Sequence, residues 1–111
     1  MRFLGCTFMS GEIGDAPGTE YKPFDNVGIS KVSAKGKVLD REVIYTVFFD
    51  EPFKYPNYTV DLVSFEKEPF LRKEGGLTPK YDVTVDTQFP DRVVLKAKQG
   101  LHRVFTVRVV G

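Results

Sequence analysis

The chain has no tryptophan, one cysteine and one histidine. A lone Cys6 excludes a disulfide within the chain, and with His102 it supplies too few ligands for a Cys/His zinc site. So few thiols point to folding in a reducing, intracellular compartment. Nucleophilic catalysis needs a base beside a serine or cysteine, and the single histidine lies in a strand pattern between Leu101 and Arg103. Charge of one sign is also lacking. Sixteen Lys+Arg against fifteen Asp+Glu leave a net charge of +1, which argues against a nucleic-acid partner. No apolar run approaches the ~18 residues of a membrane span, so no membrane insertion is expected. Residues 2–9, broken by Gly5 and Thr7, are too short for the ~7–15-residue apolar core of a signal peptide. No segment keeps the i, i+3, i+4, i+7 period over a helix length. Gly11-Glu12-Ile13-Gly14 is no phosphate loop, because no helix follows to present its N–H groups. No cofactor is expected.

Aromatic and β-branched residues are plentiful. Ten Phe and five Tyr must be buried or displayed at a surface. Two apolar runs, residues 43–49 and 58–65, flank a connection carrying Pro52 and Pro56. Each proline lacks an N–H and biases its predecessor away from helix, so the connection reads as a rigid corner between two strands. Along residues 2–9, Phe3, Gly5, Thr7 and Met9 alternate with Leu4, Cys6 and Phe8. Both faces hold apolar residues, as in a strand covered on two sides, for which another subunit is one candidate cover, or as in a simply mixed N-terminal segment. Cys6 reads as a small buried hydrophobe.

Residues 10–28 read as a long connection, an ordered excursion anchored by Ile13, Tyr21, Phe24 and Val27, and a docking arm for another protein is one reading of it. A short strand is expected at 29–33, a turn at 34–37 and a new strand start at Val38-Leu39. Residues 66–80 form a second long connection, with Phe70 and Leu71 as its anchor. Tyr81, Val83 and Val85 alternate with Asp82, Thr84 and Asp86 as one half-buried strand over 80–87. Residues 92–98 and 101–110 then read as the two arms of a hairpin turning at Gln99-Gly100, the last strand held inside a sheet. Six or seven strands at this spacing predict an all-β, antiparallel β-sandwich with long N-terminal and mid-chain loops. It is read as a single domain over 1–111, with residues 42–111 as its core.

Candidate chemistry is sparse. His102, Arg103 and Arg108 lie on the last strand and carry donors for sugar hydroxyls or carboxylates. Phe53 and Tyr55, in the proline corner, read as packing residues, a subunit contact or a sugar-stacking platform. Asp82 and Asp86 share a strand face, a spacing compatible with paired carboxylates or a weak metal site, although such a pattern more often protects an exposed strand. No catalytic residue is assigned.

The second half has a recognisable order: PFKYPNYTVDL, then YDVTVDTQFPDRVVLKA, then HRVFTVRVVG at the chain end. It resembles the H-type lectin-like domain and the related small knob domains at the tips of phage tail fibres. Phe49, Phe53, Pro56, Val60, Leu62, Val83, Thr87, Phe89, Val94, Phe105 and Gly111 take the places of that pattern. Phe105 stands where the family often has tryptophan, and the first 41 residues have no counterpart. The resemblance implies a six-stranded sandwich that trimerises and binds glycans at subunit junctions. The expectation is therefore a non-enzymatic virion protein of a tail fibre or baseplate. It would be homo-oligomeric, contact other virion proteins, and have host-surface glycan as a candidate ligand. A free-standing carbohydrate-binding lectin, a cytoplasmic location, and a β-sandwich enzyme or accessory domain using Asp82 and Asp86 are the alternatives.

Overall fold

A computed structural model describes residues 1–9, 19–37, 42–67, 77–98 and 103–111. Among them ten strands form and no helix: β1 (Phe3–Met9), β2 (Glu20–Tyr21), β3 (Phe24–Val27), β4 (Ile29–Lys37), β5 (Glu42–Phe49), β6 (Thr59–Lys67), β7 (Leu77–Lys80), β8 (Thr84–Gln88), β9 (Arg92–Lys98) and β10 (Arg103–Val110). They make two antiparallel sheets. Sheet A has the order β3-β1-β10-β6-β7 and sheet B the order β2-β4-β5-β9-β8. The β-sandwich expected from the sequence forms, but with ten strands rather than six or seven: β2 and β3 lie in the expected N-terminal loop, and β6 and β7 extend into the expected connection over 66–80.

The side-chain period of two decides what each sheet buries. Leu4, Cys6 and Phe8 of β1 and Phe105, Val107 and Val109 of β10 point inward from sheet A. From sheet B come Val43, Tyr45, Val47 and Phe49 of β5, with Val93, Leu95 and Ala97 of β9. These residues belong to one apolar cluster. Burying each of the larger ones is worth about 1.5–3 kcal/mol. Near the Phe8 end, Phe8, Tyr21, Tyr45 and Phe105 pack with ring centroids 4.9–5.9 Å apart. At the other end Phe53 stacks on Tyr58 at 4.9 Å and meets Phe49 edge-on at 5.5 Å. The Arg2 guanidinium lies 4.6 Å over Phe53 and donates to the Pro52 and Glu51 carbonyls at 3.2 and 2.6 Å. There the Arg2 and Gly111 backbones pair, N–H to carbonyl in both directions.

The proline corner carries the chain from β5 in sheet B to β6 in sheet A, so the two runs around it lie in opposite layers. Four other expectations are corrected. Residues 34–37 are not a turn: β4 runs through them, paired with β5 as far as Lys37 opposite Glu42, with Ala34 buried. The strand start expected at Val38-Leu39 falls outside the described residues. Residues 19–28 hold two short strands, and Phe24 and Val27 lie on the surface rather than anchoring the core; Tyr21 does pack against it. Residues 80–87 are not one strand. Leu77–Lys80 pairs with β6 in sheet A, Thr84–Gln88 pairs with β9 in sheet B, and the chain changes layers between them. Tyr81 is consequently 84% exposed while Val83 is buried. Finally, β9 and β10 are not a hairpin, because they sit in different sheets. The expected corner at Gln99-Gly100, the anchors Phe70 and Leu71, and Ile13 lie outside the described residues. The last strand is inside a sheet as expected, at the centre of sheet A between β1 and β6.

Candidate functional site

Two features of the sandwich are chemically unusual: a buried arginine at one end and an apolar outer face on sheet A. Arg103 has the same parity on β10 as Phe105 and so points inward, where it is 3% exposed. Its Nη1 donates to Asp82 Oδ2 at 3.1 Å and to the Lys98 carbonyl at 2.7 Å, and its Nη2 donates to Asp82 Oδ1 and Ser64 Oγ. Ser64, fully buried opposite Phe105 on β6, donates to Asp82 Oδ1 at 3.3 Å. One side chain thus ties β10 and β6 of sheet A to β9 of sheet B and to the crossover at Asp82. A buried guanidinium needs its charge matched and its donors filled; Asp82 matches the charge, and these partners accept from both Nη groups.

The outer face of sheet A follows from the register. Gly5 pairs with Val27 on one side and with Arg108 on the other, and Arg108 pairs with Asp61. The next row is Phe24, Thr7, Thr106 and Val63, with the two threonine hydroxyls 3.3 Å apart. Phe3 stands beside Val110, and Met9 beside Val104, itself beside Phe65. An open dent of about 440 Å³ lies over Gly5 between β3, β1 and β10. Phe3, Val27, Asp25 and Arg108 form its walls. A Cβ on Gly5 would sit 3.0 Å from the Val107 carbonyl, so the close pairing of β1 with β10 favours glycine there. Sheet B differs. Its outward positions mix Lys31, Lys35, Lys96 and Lys98 with the half-buried Ile44, Phe48 and Val94; Lys31 and Lys96 form ion pairs with Glu20 at 3.6 Å and Glu42 at 3.3 Å, and the Lys31 ammonium lies 5.0 Å over the Phe48 ring.

The ligand candidates read from the sequence do not converge. Arg103 is turned into the core and held by Asp82, so its guanidinium does not face solvent. At about 3.3 Å per residue it lies roughly 26 Å along β10 from Gly111, which touches Phe53. Phe53 is packed into the core end rather than displayed, while Tyr55 is 60% exposed with the Lys54 ammonium 5.7 Å from its ring. Arg108 is exposed on the outer face of sheet A, and His102 lies outside the described residues. Asp82 and Asp86 do not share a strand face. Asp82 precedes β8 and is committed to Arg103, while Asp86 sits at a register shift in β8 and accepts from Thr87 at 3.2 Å. Among the described residues no three His, Cys, Asp or Glu side chains gather as a metal site.

Two ionisable groups are shifted by burial. The Cys6 thiol is pushed up to about 12, which keeps it a neutral core side chain. The Tyr58 phenol is likewise pushed up to about 12, chiefly by burial, with Asp91 adding to the shift. Its hydroxyl lies 2.8 Å from the Phe89 carbonyl and 2.9 Å from the Arg92 carbonyl, pinning β6 to the turn before β9.

Sequence reasoning registered the two-sided apolar character of β1 but missed Phe24 and Val27 as its continuation and Gly5 as a dent. Those depend on strand neighbours distant in sequence. The chain matches no family model, no curated protein and no solved structure. None of these comparisons supports the lectin-like or fibre-tip resemblance expected for residues 42–111.

Proposed function

We propose that this chain is a non-enzymatic assembly protein that works by docking the outer face of sheet A against protein. One observation carries the reading: Phe3, Met9, Phe24 and Val27, each 46–54% exposed, stand together on a single sheet face. A sheet face turned to water is normally polar; on sheet B the outward Ile44, Phe48 and Val94 are only partly exposed beside the lysine side chains, whereas the sheet A residues are exposed. Contiguous exposed apolar patches on soluble domains mark interaction surfaces. Completing the burial of each of these side chains is worth roughly 1 kcal/mol, half of the full transfer value.

The sheet edges are poor alternatives. β2 has two residues, β3 carries a register shift and Asp25 at φ 49°, β7 carries Pro79, and β8 carries a register shift at Asp86. Such features oppose strand addition from another chain and leave the face as the surface for contact. The finer setting, a tail-fibre or baseplate component of a phage virion built in the host cytoplasm, draws on the pattern of residues 42–111. Glycan contact is the second reading, favoured by the exposed Tyr55 beside Lys54.

The test is a charge scan in the natural source. Phe24→Glu or Val63→Glu should move the chain from a fast-sedimenting fraction of the native extract to the fraction of the free chain. Lys35→Glu on sheet B should not. Wild-type and Phe24→Glu chains that sediment alike would refute the reading.

A further inference from the structure

The occupant of the sheet A face is not given by its apolar character alone, but its row pattern narrows the choice. Bump and dent are neighbours: Arg108 stands directly across from Gly5 in the β1–β10 register. The dent at Gly5 carries the carboxylate-bearing Asp25 on its wall. We propose that the face docks on a second copy of this chain, related by a two-fold axis running between β1 and β10, with each Arg108 entering the partner's Gly5 dent beside the partner's Asp25. The proposal rests on the docking function assigned above and adds the identity of the partner.

The choice of axis follows from the rows. An axis between β1 and β10 exchanges the two strands across the interface. Phe3 then meets the partner's Val110, Met9 meets the partner's Val104, and Phe24 meets the partner's Val63. Thr7 meets the partner's Thr106, hydroxyl against hydroxyl. In these rows apolar faces apolar and polar faces polar; in the Gly5 row a cation faces a dent walled by Asp25 and by that copy's own Arg108, and Val27 faces the partner's Asp61. Val27 and Asp61 fall at the rim, where solvent reaches both. An axis along β10 itself would set Arg108 against Arg108, and an axis between β10 and β6 would leave Phe24 uncovered. Such self-matching of one patch is what an isologous interface requires. A net charge of +1 adds little long-range repulsion between copies.

Size sets the expected strength. Four strands about 4.8 Å apart and seven residues at about 3.3 Å cover roughly 20 by 23 Å. Two such footprints give roughly 900 Å² before the corrugation of side chains is counted, near the ~1,000 Å² at which specific interfaces begin. A reversible dimer with a Kd on the order of micromolar is expected, because interfaces larger than this one span micromolar to picomolar.

Sedimentation velocity on the purified chain from roughly 1 to 200 µM tests this, a range chosen to bracket that Kd. Wild type should pass from monomer to dimer. Arg108→Asp and Asp25→Lys should each shift the midpoint at least tenfold to higher concentration. An equimolar mixture of the two variants should recover a dimer, because each mixed interface again pairs opposite charges across both contacts. Phe24→Glu, which alters an exposed position, serves as a second variant, and an unchanged circular-dichroism spectrum certifies each fold. A monomer at every concentration, a trimer, or a dimer indifferent to Arg108→Asp and Phe24→Glu would overturn the proposal. If the purified chain is monomeric while the chain in native extract still depends on Phe24 for fast sedimentation, the docking function stands and only the second copy as its partner fails.

Discussion

Arg103 and Asp82 are joined inside the end of the sandwich, the guanidinium 3% exposed and the carboxylate about one-third exposed. The pair fixes where the chain changes sheets. Breaking a fully buried pair costs about 3–5 kcal/mol, and partial access of water to Asp82 lowers that figure. Asp82→Ala should therefore destabilise by about 2–3 kcal/mol in urea unfolding. Replacing both groups, Asp82→Leu with Arg103→Met, should recover most of the loss, since no charge is then left unmatched. A double variant as unstable as Asp82→Ala would show that the pair is not what holds this end together.

Stability should fall on the alkaline side. Cys6 and Tyr58 both have folded pKa values of about 12, above their ordinary values of 9.0 and 10.0. Raised values mean that the neutral forms favour folding. The contribution is complete below pH 9 and is lost as the unfolded groups ionise, Cys6 between pH 9 and 12 and Tyr58 between pH 10 and 12. Urea midpoints measured from pH 7 to 11 should stay level and then decline above pH 9. In Cys6→Ala the decline should begin nearer pH 10. A profile identical to wild type would remove Cys6 from the account.

Gly28 joins β3 to β4 at φ 73°, in the left-handed region, and a Cβ there would run into the Leu4 side chain. Leu4 is a core residue and has little room to move. Gly28→Ala should cost about 2 kcal/mol, the left-handed penalty of about 1–2 kcal/mol plus the displacement of Leu4. Thermal unfolding of the variant reads it directly, and an unchanged midpoint would mean that the β3–β4 junction can relax.

The sequence carried the longer strands and some of their inner faces because alternation is local. Val93, Leu95 and Ala97 announce a buried face by spacing alone, whereas Val43, Tyr45, Val47 and Phe49 do not, because Ile44 and Phe48 make the opposite face of that run apolar too. It did not carry which strands meet. Residues 80–87 alternate well enough to pass for one strand, yet the chain switches layers at Tyr81–Val83, because the period of two is the same in either sheet. Likewise 92–98 and 103–110 look like hairpin arms, and nothing local distinguishes a hairpin from a crossover. The site was legible in the same uneven way. The second apolar face of β1 pointed to a covering surface, whereas the adjacency of Gly5 to Arg108 joins positions 103 residues apart and exists only in the register. Arg103 and Asp82 looked like solvent-facing polar groups for the same reason: their partners are remote in sequence.

The central claim is that assembly covers the outer face of sheet A, and hydroxyl-radical footprinting tests it most directly. The readout is oxidation of Met9, Phe3 and Phe24 in concentrated, assembled protein against the dilute chain, with the exposed Tyr55 and Tyr81 as reporters elsewhere. The account predicts protection at Met9, Phe3 and Phe24 and none at Tyr81. Protection at Tyr55 and Tyr81 with the sheet A residues still fully reactive would contradict it.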